Sequence, residues 1–206
     1  MKLIKAIVYT VFFLLYPYLI YLGLQQGENW PAPAVFSLLY AYSAWHAQSL
    51  AAKQRNWGIA VFCAMGVFLA PAITAKLTPL FVHVSSAYFF GRTLWQGPPL
   101  IERFVRLEFA EFPSGVIEYC RQWTQVWTGF FVFNAVMCVL LAIWGSHQVW
   151  AIYNGVAVLA LTAVLMIFEY IVRHRRFPEL EIPAPLASMK TMMVNGRQIW
   201  LEVTAH

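Results

Sequence analysis

Residues 91–122 read GRTLWQGPPLIERFVRLEFAEFPSGVIEYCRQ, a long polar stretch that is flanked on both sides by apolar sequence. The whole chain of 206 residues is 61% hydrophobic and only 11% charged. A water-soluble fold of this size would leave large apolar patches exposed, whereas a bilayer is a natural solvent for such a chain. The composition therefore predicts an all-α, polytopic transmembrane helical bundle around the polar loop 91–122.

Apolar segments that meet or approach the length of a membrane span recur along the chain. A bilayer core about 30 Å thick requires roughly 20 apolar residues per helical span. These segments are Ile4–Leu24, Ala34–Ala52, Trp57–Thr74, Leu77–Gly91, Trp123–Trp144 and Trp150–Val172. Only Ala75 and Lys76 separate the third from the fourth, which predicts a tight turn between two helices. We predict about six spans, and five are the alternative if this pair does not make two full crossings.

Basic residues indicate how the spans are oriented, since Lys and Arg accumulate in cytoplasmic loops. With a cytoplasmic amino terminus, the six-span arrangement leaves only Lys76 outside and places every other Lys and Arg inside. Both termini and the loop 91–122 are therefore predicted to be cytoplasmic, and the external segments, such as 25–33, are short. This orientation also explains the formal net charge of +5, so no nucleic-acid partner is predicted.

Two consecutive prolines, Pro98 and Pro99, can open a helix inside the loop, because the first helical turn has no use for their missing N–H groups. On a helical projection, a broad apolar arc opposes a polar one. The apolar arc holds Leu100, Ile101, Phe104, Val105, Leu107 and Phe109. The polar arc holds Glu102, Arg103 and Arg106. This pattern predicts an interfacial amphipathic helix in the cytoplasmic loop, ending near Phe109.

The arginines of the loop are its best candidates for binding a ligand, because a planar guanidinium group can hold a phosphate or carboxylate through two hydrogen bonds. The candidates for a lipid-binding or anion-binding rim are Arg92, Arg103, Arg106 and Arg121. Local salt bridging is the alternative, because the loop contains as many Glu as Arg residues. Sequence spacing does not decide between these two interpretations.

Polar residues inside the predicted spans form a second group of candidates. They are His83, Asn134, Asn154 and Glu169. Intramembrane polar groups usually face the interior of a bundle, where an enzyme or a transporter could use them. The structural alternatives are hydrogen bonds between helices for the asparagines and an ion pair between Glu169 and Arg173, four residues later.

Sequence motifs for catalysis or cofactor binding are absent from the chain. It contains no GxSxG elbow, HExxH motif, P-loop or Gly-rich dinucleotide fingerprint. The cysteines are scattered singly, without the spacing of a zinc site or a disulfide framework. They are Cys63, Cys120 and Cys138. We predict neither a cofactor nor a metal, and an enzyme is disfavoured, although intramembrane enzymes can place their catalytic residues on separate helices.

The chain changes character after Arg176, so we divide it into a transmembrane domain, 1–176, and a cytoplasmic tail, 177–206. The tail begins with a proline-containing linker. Asn195-Gly196 lies between two alternating apolar runs and is the strongest short signal for a type I′ turn. A small β-hairpin is therefore predicted, and because an isolated hairpin is only marginally stable, we expect it to rest on another surface.

Three segments resemble known families. They are KLTPLFVHVSSAYFFGRTLWQGPPLIERF (76–104), YCRQWTQVWTGFFVFNAV (119–136) and VWAIYNGVAVLALTAVLMIFEYIVRHR (149–175). This half of the chain resembles an uncharacterised bacterial membrane-protein family found with aryl-polyene and xanthomonadin-type pigment lipid genes. More distantly it is similar to the intracellular septation protein A family. The resemblance implies a multi-pass protein of the bacterial inner membrane that acts in envelope lipid metabolism or upkeep, and it supplies no catalytic residue.

Three functional hypotheses follow. The first is a non-enzymatic inner-membrane protein that assists envelope lipid or aryl-polyene-type lipid assembly, either by binding an acyl lipid or by docking cytoplasmic lipid-biosynthesis enzymes. The second is an intramembrane acyl or prenyl transferase, and the third is a small lipid transporter or flippase. Membrane lipids are the expected partners in each case. Asn134 also leaves a homo-oligomer open, since a midplane asparagine can join helices.

Overall fold

The computed structural model describes residues 16–28, 30–108, 113–180, 194, 195, 199 and 203. Among these residues the regular secondary structure is helical, and no strand is present. The chain forms two compact units, each with its own buried core. The first unit is Met1–Val82 with Ala135–Ala160, and the second is His83–Asn134 with Leu161–His206. The helical class predicted from the composition is therefore confirmed for the described part of the chain.

Eight helices are described, and their bounds are as follows. Helix α1 covers the described residues 16–26. Helices α2 to α6 are Pro31–Trp45, Leu50–Leu69, Pro71–Arg92, Leu100–Glu108 and Val116–Ile143. The last stretch, His147–Arg176, consists of α7 (His147–Ile152), a π-helical turn (Tyr153–Ala157) and α8 (Val158–Arg176). Helix α5 begins directly after Pro98-Pro99, as those residues predict.

Helices α2 and α3 pack along each other in the first unit. Ser49 ends the connection between them by accepting a hydrogen bond from the Ala52 amide at 3.2 Å, which caps α3. The chain is not helical between Trp45 and Leu50. The single span predicted over Ala34–Ala52 was therefore wrong, because an N-cap serine within that apolar run starts a new helix.

The break between α3 and α4 lies at Ala70. This residue has φ −155° and ψ 64°, outside the helical region. A residue before proline is disfavoured from that region, and Pro71 is well suited to the first turn of the next helix. The turn predicted at Ala75 and Lys76 was therefore wrong, since both residues lie inside α4. The Ala-Pro pair was the signal that marks the true break.

Helix α4 continues through Pro79, although proline cannot donate to the carbonyl of Ala75 four residues earlier. The hydroxyl of Thr78 donates to that carbonyl instead, at 2.7 Å. The carbonyl of Lys76 accepts from the indole Nε1 of the fully buried Trp150 at 3.0 Å. These two side-chain donors satisfy backbone groups close to the proline, which lets the helix pass through it.

The first unit closes around Trp150, whose side chain packs with Ile20, Leu24 and Ala75. Next to it in the π-helical turn, the Asn154 amide donates to the Trp150 carbonyl at 2.9 Å. The core of this unit is therefore small and aromatic, and polar groups within it are hydrogen-bonded.

The second unit is built around α5. One cluster packs two α5 side chains against the start of α6 and the residue that follows α8; its members are Ile101, Val105, Val116, Tyr119, Cys120, Trp123 and Phe177. A second cluster consists of Leu100, Ile199 and Val203, with Phe89, Phe90 and Phe104 beside them. The predicted amphipathic helix exists, but much of its apolar arc is covered by the protein itself.

In the tail predicted to be cytoplasmic, 177–206, the structure describes residues 177–180, which are not helical, and Val194, Asn195, Ile199 and Val203, which are helical. Asn195 has no positive φ, although its role in a type I′ turn would require one. The predicted β-hairpin is therefore not confirmed, and most of its residues lie outside the described part of the chain. The expectation that the tail rests on another surface agrees with the burial of Ile199 and Val203 in the second unit.

Two stretches of described helix are long and apolar enough to cross a membrane by length and composition, Val116–Ile143 and His147–Arg176. The first contains the fifth predicted span except for Trp144, and the second contains the sixth predicted span. The described surface also exposes many large apolar side chains, among them Trp45, Phe68 and Leu69. Such a surface suits hydrocarbon rather than water, and the count of about six spans stays a prediction.

Candidate functional site

The connection between α4 and α5 is anchored by two threonines. Thr93 is buried; its hydroxyl donates to the Phe90 carbonyl at 2.7 Å and accepts from the Leu100 amide at 2.9 Å. The hydroxyl of Thr124, on α6, accepts from the Ile101 amide at 3.4 Å. Both threonines thus satisfy N–H groups at the start of α5, where a helix has no internal acceptors. These hydrogen bonds therefore hold the end of the connection at the start of α5.

Two of the four candidate arginines converge on this connection. The Nε of Arg92 donates to the side-chain oxygen of Gln96 at 2.6 Å. The Nε of Arg103 donates to the Pro98 carbonyl at 2.9 Å, and its Nη2 reaches the Gln96 carbonyl at 3.4 Å. Gly97, with φ 88°, lies against the Arg103 guanidinium group, and a Cβ there would approach Nη2 to 2.9 Å. We call Arg92, Gln96, Gly97, Pro98 and Arg103 the arginine turn.

The arginine turn is exposed and carries an aromatic side chain beside it. Trp95 lies within the same connection and is 81% exposed. An indole ring prefers the headgroup level of a bilayer, where its apolar body and its N–H group both find suitable surroundings. Two guanidinium groups near an exposed tryptophan are chemically suited to an anion at a membrane surface.

The other two candidate arginines do not join the turn in this way. Arg106 donates to Glu102 through Nε at 2.9 Å and also through Nη2. Glu102 is buried rather than exposed on the predicted polar arc, because the ion pair lets its carboxylate lie against α5. Arg121 is exposed on α6 and makes no hydrogen bond or ion pair with another described residue. Of the four arginines, the structure brings only Arg92 and Arg103 together at this connection, and a rim that binds an anion stays a prediction.

Glu169 belongs to a buried polar group at the end of α8. It accepts from Arg173 Nε at 2.8 Å, and the Tyr119 hydroxyl donates to its carboxylate at 3.0 Å. The guanidinium of Arg176 lies 5.8 Å from the centre of the Tyr119 ring. The ion pair expected from the spacing of Glu169 and Arg173 is present, and the tyrosine joins it to α6. These contacts give Glu169 a structural role.

The remaining intramembrane candidates are His83, Asn134 and Asn154. Asn134 donates to the carbonyl of Phe130, within its own helix, at 2.8 Å. Asn154 accepts from the Cys138 thiol at 3.4 Å, which is a link between helices of the kind predicted. His83 is buried beside the Phe131 ring, and among the described residues its Nδ1 has no hydrogen-bond partner.

No group of three or more His, Cys, Asp or Glu side chains that could hold a metal ion occurs within the described part of the chain.

Sequence reasoning did not single out Thr93, Trp95, Gln96 or Thr124. The usable signal was Gly97 followed by two prolines, which marks a tight turn immediately before a helix.

Apolar helices of spanning length, a lipid-compatible surface and an exposed arginine turn define a helical membrane protein. The chain is similar to the inner membrane-spanning protein YciB of two strains of Acidithiobacillus ferrooxidans, with 27% identity over 105 residues to each. The aligned part covers 50% of this chain and 55% of each relative, so the chain spans about half the length of the curated relatives it matches. No family model and no solved structure matches the chain.

These relatives bear on the two predicted resemblances differently. Their similarity supports the resemblance to septation proteins of the inner membrane. The association with aryl-polyene genes is not shown by it. The similarity also supports the prediction of a membrane protein.

Proposed function

We propose that this chain is a non-enzymatic, multi-pass protein of the bacterial inner membrane that holds an anionic lipid headgroup at the arginine turn. Both termini and the loop 91–122 face the cytoplasm in this proposal. The headgroup phosphate is bound by Arg92 and Arg103, and Trp95 inserts at the level of the headgroups. Through this binding the protein assists the assembly of an envelope lipid.

The convergence of two arginines on one fixed turn carries the proposal. Arg92 and Arg103 lie eleven positions apart in sequence, yet both donate to Gln96. A phosphate beside the turn would accept charge-assisted hydrogen bonds from both arginines and neutralise their charges.

The membrane setting of the proposal draws on the class of protein and on its relatives. The relatives are named inner membrane-spanning proteins, and we propose the same location for this chain. The bound lipid could more specifically be one with an aryl-polyene-type tail, because its anionic end would bind the same arginines. Docking of cytoplasmic lipid-biosynthesis enzymes is the competing use of this exposed loop.

The alternatives of a transferase or a flippase require polar groups that are free to act within the membrane. Glu169 and Asn154 are occupied by the structural contacts already described. Among the four intramembrane candidates, His83 alone has a side-chain atom without a partner in the described part of the chain. The geometry therefore favours binding over chemistry.

Native mass spectrometry of the protein released gently from membranes tests this proposal. The double variant Arg92→Gln/Arg103→Gln should retain phosphatidylglycerol at least about tenfold less than the wild type, because charge-assisted hydrogen bonds are lost. Arg121→Gln/Arg175→Gln is the matched control, since it removes the same two charges from exposed arginines outside the turn. It should retain the lipid unchanged.

Two results would overturn the proposal. Equal lipid retention by the wild type and the double variant would show that the turn holds no headgroup, and co-purifying cytoplasmic enzymes would then be sought. Equal loss in Arg92→Gln/Arg103→Gln and in Arg121→Gln/Arg175→Gln would show that only net charge matters. A thermal unfolding midpoint measured for each variant separates lost binding from lost folding.

A further inference from the structure

A second site lies in the first unit, where an apolar cavity of about 330 Å³ opens between α1, α2 and α4. Its volume falls within the range of about 300–1,000 Å³ that is typical of small-molecule sites. Ile20, Val35 and Ala75 are among the apolar residues that line it. Polar groups at the cavity come from Tyr16 and from the end of α1, where Gln26 and Glu28 line it.

The shape of the cavity fits a single hydrocarbon chain. Tyr16 and Gln26 both line it, and ten helical residues rise about 15 Å, so the cavity follows α1 for about that distance. An apolar cavity that follows a helix over this length suits one extended hydrocarbon chain.

Two glycines allow Glu28 to lie at one end of the cavity. Gly27 has φ 77°, which ends α1 in the left-handed region and turns the chain back. The backbone oxygen of Glu28 then lies so close to α1 that a Cβ on Gly23 would approach it to 2.7 Å. Gly23 and Gly27 thus allow Glu28 to fold against the helix that forms one wall of the cavity.

The charge of this end indicates the headgroup. Glu28 is exposed and makes no ion pair with another described residue. Trp30, 56% exposed, follows two positions later and suits the headgroup level. The link between α1 and α2 lies on the external side in the predicted topology, so a carboxylate at this level complements an ammonium group from the outer leaflet.

A π-helical turn packs against α1. Pro17 lies close to Gly155, where an added Cβ would come within 3.6 Å of the proline. Turns of this kind interrupt a regular helix at a cost in stability and are frequent at functional sites.

We propose that this cavity holds one acyl chain of an aminophospholipid, whose ammonium group is bound by the Glu28 carboxylate. The site is separate from the arginine turn and does not depend on the function proposed for it. The ligand is defined by its chemistry, an apolar chain joined to a primary amine, of which phosphatidylethanolamine is the common bacterial membrane form.

A filling substitution tests the chain-binding part. Val35 lines the cavity and is partly exposed, so Val35→Trp should fill the space and lower retained phosphatidylethanolamine at least about tenfold in native mass spectrometry. Leu38→Trp is the matched control, because Leu38 is on the same helix, is exposed and does not line the cavity. It should retain the lipid as the wild type does.

A charge substitution tests the headgroup part in a residue that is exposed and tolerant of change. Glu28→Gln should lower the preference for phosphatidylethanolamine over phosphatidylglycerol by about two- to fivefold, the size expected of an exposed ion pair. Nanodiscs that contain both lipids provide the competition. Arg92→Gln/Arg103→Gln should lower retained phosphatidylglycerol and leave retained phosphatidylethanolamine unchanged, which distinguishes failure here from failure of the arginine turn.

The outcomes are decisive in both directions. Retention by Val35→Trp equal to that of the wild type would show that the cavity is empty or holds only bulk lipid, and would overturn the proposal. An unchanged preference in Glu28→Gln would remove the assigned headgroup. If Val35→Trp does not fold, the Glu28→Gln competition still decides the question.

Discussion

Two ion pairs of the same kind occur in the second unit and differ mainly in exposure. In each, an arginine four residues after a glutamate donates through Nε and Nη2 to a single carboxylate oxygen. The Nε distance is 2.9 Å for Arg106–Glu102 and 2.8 Å for Arg173–Glu169. The difference lies in the arginines: the Arg106 side chain is 49% exposed and that of Arg173 is 13% exposed, whereas both glutamate side chains are buried, at 4% for Glu102 and 11% for Glu169. The chain therefore contains its own matched comparison for the effect of burial on an ion pair.

Replacing each glutamate by glutamine removes the negative charge and keeps the shape. In Glu169→Gln the charge of Arg173 stays largely buried, and breaking such a pair costs about 3–5 kcal/mol when nothing compensates. Glutamine still accepts a hydrogen bond, so we expect about 2–4 kcal/mol. In Glu102→Gln, water can solvate Arg106, and the expected loss is about 0–1 kcal/mol.

Thermal unfolding in mild detergent measures the difference. At about 2–4 °C per kcal/mol for a chain of this length, Glu169→Gln should lower the Tm by roughly 5–12 °C and Glu102→Gln by less than about 4 °C. The double variant Glu169→Gln/Arg173→Gln should recover part of the loss, since no charge is then left unpaired. Equal shifts for the two single variants would refute the argument from burial.

Two further predictions concern packing inside each unit. Gly66→Ala should destabilise the protein by about 1–3 kcal/mol, because the new Cβ would overlap the Thr74 side chain, whereas Gly58→Ala should be neutral or stabilising, since nothing lies within 4 Å of a Cβ there. Equal Tm changes would contradict this. His83→Phe should raise the Tm by a few degrees, because a buried imidazole nitrogen without a partner costs about 1–3 kcal/mol. A lower Tm at equal expression would contradict this prediction and indicate that Nδ1 has a partner outside the described residues.

Local patterns predicted the parts of the fold that depend on neighbouring residues. The prolines Pro98 and Pro99 fixed the start of α5, and the spacing of Glu169 and Arg173 fixed their ion pair. Both depend on interactions within one helical turn, so the sequence contains them directly. The helical class followed equally directly from the apolar content.

Features that depend on distant contacts were not predictable in this way. The true break at Ala70 was misplaced to Lys76, because a lysine in an apolar run looks like a loop when its partner is unknown. In the structure its Nζ donates to the Gly145 carbonyl at 3.0 Å, which makes a position inside a helix acceptable. Glu102 was likewise assigned to an exposed arc, because its burial depends on how α5 packs. The hydrophobic periodicity of one helix does not reveal a hydrogen bond to a distant residue or the burial of a side chain against another helix.

The arginine turn shows why a covered helix can serve a binding function. An isolated interfacial helix would place its apolar face in the headgroups and leave the preceding loop mobile. Here α5 is held by core contacts on its apolar side and by Thr93 and Thr124 at its amino end. The side chains of the turn are then fixed before a ligand arrives, so less conformational entropy is lost on binding. In the proposed function, burial of the α5 face lets two partly exposed arginines recognise one headgroup.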